Sequence, residues 1–293
     1  MTTTNKTTIE TVKELLADPK NRIKLDDFVS ESIKKFLVAT NLQQFPVEGL
    51  APTKEEFLER MKRYEESVRE LQQIVILLAK WGEPEQILLL EKIFSRIAEI
   101  DKGSGGYTLW INFGWYPLQI LMYSAGIAAL AGKKFDVLRV SLITPVPFKN
   151  GHHALVVPVS SSLSDAGDAW KWVPGHERKH TPRSEHLHEL LQTPLEELLF
   201  LGASYEKLFD EFEVYLALAF SQATGRDWAP IGRFGWKYRY QEENNPIDRI
   251  ITDAKNQAAK WPPAQVGLFP GSSEEFIKLA EKFRGRLNEL SWF

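Results

Sequence analysis

The sequence predicts a predominantly all-α protein, built as a bundle-like array of many helices. Three observations support this fold class. Apolar residues recur at three- and four-residue steps over long stretches. Several of these stretches open with the spacing of a capping box. Only two regions depart from the helical pattern, and they predict a long irregular connection at about 141–182 and a short extended arm at about 233–240.

The longest predicted helix follows Thr53-Lys-Glu-Glu56, where a threonine and a glutamate stand three positions apart as in a capping box. Pro84 is expected to open the next helix, because proline is favoured in a first helical turn. The same start pattern recurs at Thr193–Glu196 and at Ser272–Glu275, which leads into a final helix. Further helices are predicted at about 21–40, 84–100, 184–191, 205–222 and 247–260.

The segment 103–132 contains no charged residue and is long enough to cross a bilayer. Tyr116-Pro117 lies in its middle, however, and a proline is tolerated in the first turn of a helix but removes a backbone hydrogen bond deeper in it. The segment therefore predicts a loop followed by a buried helix at about 117–131, which is too short to span a membrane. No membrane partner is expected.

The length and composition favour a soluble protein with one helical domain at 1–293; the alternative is a subdivision into helices at 1–140 and 183–293. Of 293 residues, 43% are hydrophobic and 26% charged, enough for a sizeable core. The formal net charge of -3 predicts no general attraction to nucleic acid or anionic membranes. The chain has no cysteine, which excludes disulfides and thiolate chemistry, and its N-terminal residues lack the apolar core of a signal peptide. We therefore expect a cytoplasmic protein.

The stretch VPGHERKHTP contains His176, Glu177 and His180, which match the H-E-x-x-H pattern of zinc peptidases. In those enzymes both histidines lie one turn apart on a helix and bind the metal. Here prolines bracket the pattern and leave room for barely one turn, so a peptidase is not favoured. All six histidines nevertheless lie within 152–188, together with several carboxylates. A metal-dependent hydrolase or nuclease that uses this cluster is therefore one alternative function.

Other catalytic patterns carry less weight. Asp210 and Glu213 lie about one turn apart, but their run YEKLFDEFEVY is interpreted more simply as the polar face of an amphipathic helix. The sequence contains no G-x-S-x-G and no G-x-G-x-x-G pattern. We therefore predict no catalytic residue and no cofactor.

The basic and aromatic stretch 226–240 offers the candidate binding residues Arg233, Trp236, Lys237 and Arg239. Basic side chains of this kind meet phosphates while exposed rings stack on bases, so nucleic-acid binding is a second alternative function. The alternation in RFGWKYRY also arises when the rings face the core and the charges face water. This last interpretation is favoured.

Four stretches occur in a fixed order along the chain: LLADPKNRIKLDDFV (15–29), WYPLQILMYSAGIAALAGKKFDVL (115–138), WAPIGRFGWK (228–237) and GLFPGSSEEF (267–276). Together they resemble the C-terminal helical region of multidomain bacterial anti-phage defence proteins. In those proteins the region usually follows an effector domain, which is sirtuin-like, a TIR domain or a nuclease. The resemblance brings no active-site residue with it.

Since this chain opens almost directly into the helical region, we expect the effector to be a separate subunit. The resemblance thus implies a non-enzymatic recognition or scaffold subunit of a bacterial anti-phage defence system. Its expected partners are an effector protein, a phage protein or both.

Overall fold

The computed structural model describes residues 6–238 and 245–290, and the fold is predominantly helical, as predicted. The helices are α1 (Thr8–Ala17), α2 (Arg22–Ala39), α3 (Lys54–Trp81), α4 (Pro84–Ala98), α5 (Thr108–Phe113), α6 (Tyr116–Gly132), α7 (Phe135–Ile143), α8 (Val156–Asp165), α9 (Pro182–Leu199), α10 (Ser204–Thr224), α11 (Phe234–Lys237), α12 (Pro246–Gln257), α13 (Pro262–Gln265) and α14 (Ser273–Glu289). Strands β1 (Pro145–Phe148) and β2 (Gly151–Ala154) form an antiparallel hairpin. Short 3-10 segments occur at Pro19–Asn21, Gly167–Trp172 and Ala258–Lys260.

Helix α6 is the central element, and every side chain from Tyr116 to Leu130 is buried. It packs along α3 and also against α7, α8, α9 and α10. Gly126 permits close contact with α10, because a Cβ at this position would lie 2.0 Å from Cε2 of Phe212. The prediction of a buried helix is confirmed. No helix among the described residues has both the length and the apolar character needed to cross a membrane.

Helices α2 and α4 run in the same direction, and each contacts both the other and α3. The side chain of Ser32 in α2 contacts Glu70, and further along the chain the ring of Phe45 stacks on Tyr64 with centroids 4.0 Å apart. The later residue, Phe45, thus contacts the earlier residue of α3. The chain therefore runs along α2 in the direction opposite to α3, and the two helices are antiparallel. Helix α4 follows α3 after two residues and packs back against it. Since both are antiparallel to α3, α2 and α4 are parallel to each other.

Two of the predicted helix starts are confirmed by their caps. Thr53 Oγ1 accepts a hydrogen bond from the backbone N–H of Glu56 at 3.2 Å. Ser272 and Glu275 form a complete capping box at the start of α14. Each cap satisfies backbone N–H groups that have no partner inside the helix.

The third predicted start, at Thr193–Glu196, is wrong. Helix α9 passes through these residues without a break and carries Pro194 in its interior. The helix continues because its buried face is an uninterrupted row of leucines, whose packing outweighs the hydrogen bond that the proline removes. These residues are Leu187, Leu191, Leu195 and Leu198.

The long irregular connection predicted at 141–182 is more regular than expected. Its first part is the β1–β2 hairpin, closed by a two-residue loop in which Lys149 has a φ of 52°. Helix α8 follows and contains Pro158. The proline lies in the first turn, where its missing N–H would have no intrahelical partner anyway. The serines at 160–162 lie inside α8, so residues that are common in loops belong here to regular elements.

The extended arm predicted at about 233–240 is wrong for the residues that the structure describes. Phe234–Lys237 form the single turn α11. Phe234 and Tyr238 are four residues apart and both buried. The same four-residue spacing separates Arg233 from Lys237. A four-residue spacing places each pair on one side of a helical turn, so the sequence fits a helix as well as a strand.

Candidate functional site

Asp210 of α10 is the centre of an ion-pair network that holds α11. Its side chain is fully buried, and Oδ2 accepts hydrogen bonds from Lys237 Nζ at 2.7 Å and from the Tyr238 hydroxyl at 2.8 Å. Nε of Arg233 lies 3.5 Å from Oδ1. Oε1 of Glu206, at the rim, lies 2.9 Å from both Arg233 Nη2 and Lys237 Nζ. Two cations thus meet two carboxylates.

The predicted binding residues are therefore used inside the protein. Arg233 is buried, and the Lys237 side chain is only 20% exposed. Burial opposes the charge of Lys237, but its hydrogen bonds to the two carboxylates raise its pKa overall. Nε1 of Trp236 donates a hydrogen bond to Thr181 Oγ1 at 3.2 Å. Arg239 lies outside the described residues.

The H-E-x-x-H pattern does not form a helix, because residues 176–180 run through turns. His176 is buried with Nε2 3.5 Å from Oε1 of Glu189, whereas Glu177 and His180 are exposed. Within the described parts of the chain, no group of three or more histidine, aspartate or glutamate side chains is placed to hold a metal ion. The structure therefore does not bring the three predicted ligands together.

Another histidine of the same region joins three helices. Nε2 of His186 in α9 lies 2.8 Å from Glu65 Oε1 in α3 and 3.1 Å from the Tyr116 hydroxyl in α6. That hydroxyl donates a hydrogen bond to the same carboxylate oxygen at 2.7 Å. Burial and the neighbouring Glu65 raise the pKa of Tyr116 well above its ordinary value, so the hydroxyl keeps its proton. This cluster ties α9 to the centre of the fold.

Glu213 is a buried carboxyl group with one oxygen left free. It lies in α10, one turn after Asp210, and is only 2% exposed. Oε1 accepts hydrogen bonds from Ser184 Oγ at 2.7 Å and from the Tyr123 hydroxyl at 3.2 Å. Oε2 has no hydrogen-bond partner among the described residues. Burial raises the pKa of Glu213 to about 8.

The interpretation of this acidic run as a polar helix face is thus wrong for Asp210 and Glu213. A missed signal was present in the sequence. Glu213 stands between Phe212 and Val214, in a stretch that continues with apolar residues as far as Phe220. A helix that is apolar on all sides is buried, and a carboxylate within it needs internal partners.

Ser184 and Gly232 fix the position of the Glu213 carboxyl group. Besides donating to Glu213, Ser184 Oγ accepts a hydrogen bond from the backbone N–H of Arg233 at 2.9 Å. The backbone of Gly232 packs so closely that a Cβ there would lie 2.0 Å from Oε2 of Glu213. Only glycine therefore fits at this position without displacing the carboxyl group.

Arg183 supplies a partly buried positive group near Glu213. It lies in the first turn of α9, and its Nη1 is buried without a hydrogen-bond partner among the described residues. Burial lowers the pKa of Arg183, while the nearby Tyr123 and Glu213 act in the opposite direction. A guanidinium group stays protonated even under such conditions.

Arg183, Ser184, Glu213 and Gly232 line an open cleft of about 320 Å³, which we call the Glu213 cleft. One wall is apolar, and at its edge the indole of Trp228 is 49% exposed. The apolar wall consists of Leu163, Leu216, Pro230 and Ile231. The cleft is also lined by Asp168, Lys171 and His180, which are exposed. It therefore combines an apolar surface with a buried carboxyl group and a partly buried guanidinium group.

A second candidate site is an exposed apolar surface on α2 and α4. Lys92 Nζ contacts Asp26 Oδ1 and Ser30 Oγ, each at 2.8 Å, so these residues mark the faces where the two helices meet. Ile23 lies one turn before Asp26, and Leu88 lies one turn before Lys92. Because the helices are parallel, both side chains lie on the same side of the Asp26–Lys92 contact, each about one turn from it. We call the pair Ile23 and Leu88 the α2–α4 patch; they are 68% and 63% exposed.

Neither site can be interpreted through a relative. No family model, no curated protein and no solved structure matches this chain. Inferences about function therefore depend on the chemistry and geometry of the Glu213 cleft and the α2–α4 patch.

Proposed function

We propose that this chain is a non-enzymatic recognition subunit of a bacterial anti-phage defence system, which binds an effector protein, a phage protein or both. The proposed role in anti-phage defence is based on the resemblance of segments 15–29, 115–138, 228–237 and 267–276 to the helical region of such proteins. The structural observation that supports binding to another protein is the α2–α4 patch.

The patch has the chemistry of a small protein-binding surface. Ile23 and Leu88 are aliphatic side chains on two helices that contact each other, and both are mostly exposed to water. Burying them against a partner would remove apolar area from water, which favours association. The adjoining Asp26–Lys92 ion pair supplies a charged border. An apolar centre with a charged rim is typical of protein interfaces.

The two alternative functions have weaker support from the geometry. Nucleic-acid binding through 226–240 needs basic side chains that reach phosphates, whereas the two basic residues described at α11 pair with internal carboxylates. A metal-dependent hydrolase or nuclease at 152–188 needs several ligands converging on one ion, and the three predicted ligands lie in different environments.

Co-expression with the proteins encoded next to this chain tests the proposal. We expect one of them to co-purify with the wild-type chain and to elute with it in size-exclusion chromatography. The double variant Ile23→Glu, Leu88→Glu should lose the complex and also protection against phage in a plaque assay, because charges replace the apolar centre.

Val38→Glu is the matched control. Val38 also lies on α2 and is 69% exposed, but it is four turns away from Ile23. It should keep both the complex and the protection. All three substitutions are at exposed positions, so each should change the free energy of unfolding by only about 0.5 kcal/mol or less. Retention of both the complex and the protection in the double variant would contradict the proposal. The absence of a complex with any neighbouring protein would contradict binding to an effector.

A further inference from the structure

We propose that the Glu213 cleft binds a small zwitterion of the α-amino-acid type, whose ammonium group pairs with Oε2 of Glu213 and whose carboxylate pairs with Nη1 of Arg183. This site is separate from the α2–α4 patch and does not depend on the function proposed above. It would make the chain a receptor for a metabolite.

The pairing follows from two buried atoms, one on each residue, that lack hydrogen-bond partners. Glu213 and Arg183 line the same cleft, and Oε2 of Glu213 and Nη1 of Arg183 are buried atoms that have no hydrogen-bond partner among the described residues. A buried polar atom without a partner is costly, and the cost falls when a ligand supplies the missing bond. A simple amine would satisfy only the acid, and a simple carboxylate only the arginine. A zwitterion satisfies both and brings no net charge into the cleft.

The carboxyl group of Glu213 is preorganised for a ligand. Ser184 and Tyr123 both bind Oε1 of Glu213, and the backbone of Gly232 packs against the carboxyl group. Oε2 therefore has a fixed position before any ligand arrives, and little conformational entropy is lost on binding. Arg183 lies at the N-terminus of the long helix α9, whose dipole also favours a carboxylate there.

The size and the walls of the cleft narrow the ligand class. A volume of about 320 Å³ lies at the lower end of the range for ligand cavities, so a single amino acid fits better than a nucleotide or a peptide. The wall formed by Leu163, Leu216 and Ile231, with the half-exposed indole of Trp228, suits an apolar or aromatic side chain. Leucine, methionine and phenylalanine are representative of this class.

Binding of such a ligand is linked to the proton of Glu213. Because burial raises the pKa of Glu213 to about 8, the empty cleft holds a protonated acid at neutral pH. An ammonium ion favours the carboxylate, so binding releases this proton and strengthens as the pH rises towards 8. The groups that face Glu213 from the surrounding elements are Tyr123 of α6, Arg183 and Ser184 of α9, Asp210 of α10, and Arg233 before α11.

Isothermal titration calorimetry on the purified full chain tests the site. The probes are L-leucine, L-isoleucine, L-methionine, L-phenylalanine, L-tyrosine and L-tryptophan. We expect saturable binding of at least one of them. Phenethylamine and 3-phenylpropionate, which each keep one charged group of phenylalanine, should bind at least about tenfold more weakly than phenylalanine if phenylalanine binds. For any other amino acid the corresponding amine and acid serve the same purpose.

Substitutions and the pH dependence of binding show whether Arg183 and Glu213 contact the ligand or only support the fold. Arg183→Met and Glu213→Gln should each weaken binding about tenfold or more, and Glu197→Gln, an exposed change on the same helix α9, should leave it unchanged. For the wild type, the affinity should rise roughly tenfold from pH 6.5 to pH 8 as Glu213 loses its proton.

The absence of saturable binding by all six amino acids would overturn the proposal. So would equal binding of the amine analogue, or wild-type affinity in Arg183→Met. If Glu213→Gln fails to fold, the comparison of analogues on the wild-type chain decides the matter, because it needs no substitution.

Discussion

Nζ of Lys237 lies 2.7 Å from Oδ2 of Asp210, a carboxylate that is fully buried in α10. The contact joins a single helical turn to one of the long helices of the fold. A helix of one turn has too few hydrogen bonds to be stable alone. Because Arg233 precedes Lys237 by four residues, it approaches the same carboxylate. The ion pairs therefore hold α11 in place.

Asp210→Asn should destabilise the protein by about 3–5 kcal/mol, because it leaves two buried cations with only the rim carboxylate of Glu206. Glu206→Gln is the control; its side chain is half exposed, and the loss should be about 1 kcal/mol or less. Urea unfolding followed by circular dichroism gives both values. In the double variant Asp210→Asn, Lys237→Met the loss should be smaller than the sum of the single losses. Equal losses of unfolding free energy for Asp210→Asn and Glu206→Gln would contradict the central role of Asp210 in the ion-pair network.

Glu213 should make the stability fall as the pH rises. The carboxyl group has a pKa of about 8 in the folded chain, against 4.5 for an ordinary glutamate. The folded state therefore keeps the proton where the unfolded chain releases it. Its contribution is complete below pH 4.5 and is lost as the pH rises to about 8.

Urea unfolding at several pH values between 5 and 8 measures this effect. The free energy of unfolding of the wild type, relative to Glu213→Gln, should decrease over this interval by an amount on the order of a few kcal/mol. Glutamine keeps the size of the side chain but does not titrate. Parallel curves for the two proteins would show that Glu213 titrates normally.

Gly232→Ala should destabilise the protein by about 1–3 kcal/mol, since the new methyl group would overlap Oε2 of Glu213. The carboxyl group has no easy way to move, because Ser184 and Tyr123 hold its other oxygen. Gly285→Ala is the opposite case: it lies in α14 with open space around it. That change should stabilise the protein by about 0.5–1 kcal/mol. Thermal unfolding of the two variants checks both signs.

Pro194→Ala should stabilise the protein, by about 1–3 kcal/mol, because alanine restores a backbone N–H in the interior of α9. Pro182→Ala is the matched substitution at the first position of the same helix, where proline costs nothing. It should leave the stability unchanged or lower it slightly. A lower melting temperature for Pro194→Ala would mean that the proline relieves strain in α9.

The long helices were predictable because their signals are local. The cap at Thr53, the cap at Ser272 and the apolar spacing that follows each of them lie within a few turns of chain. Even so, the leucine row of α9 overrode the local start pattern at Thr193–Glu196. Packing along the whole buried face of α9 thus determined where this helix ends, whereas the local capping pattern predicted a new helix start.

The candidate site was less predictable because its contacts are distant in sequence. The residues RFGWKYRY fit a strand and a helix equally, and Asp210, far earlier in the chain, decides between them. Tyr123, which binds Glu213, is 90 residues away from it. A single sequence shows that a glutamate stands among apolar residues, but it does not show which donors surround it or that one oxygen stays free.

The burial of α6 also has a consequence for folding during synthesis. Synthesis proceeds from the N-terminus, so α6 leaves the ribosome before α9 and α10, the helices that later cover it. Until Thr224 has emerged, the part of this apolar helix that α9 and α10 cover in the folded protein lacks its packing partners. A nascent chain stalled before α9 would therefore be an aggregation-prone species, and complete synthesis is a condition for native folding.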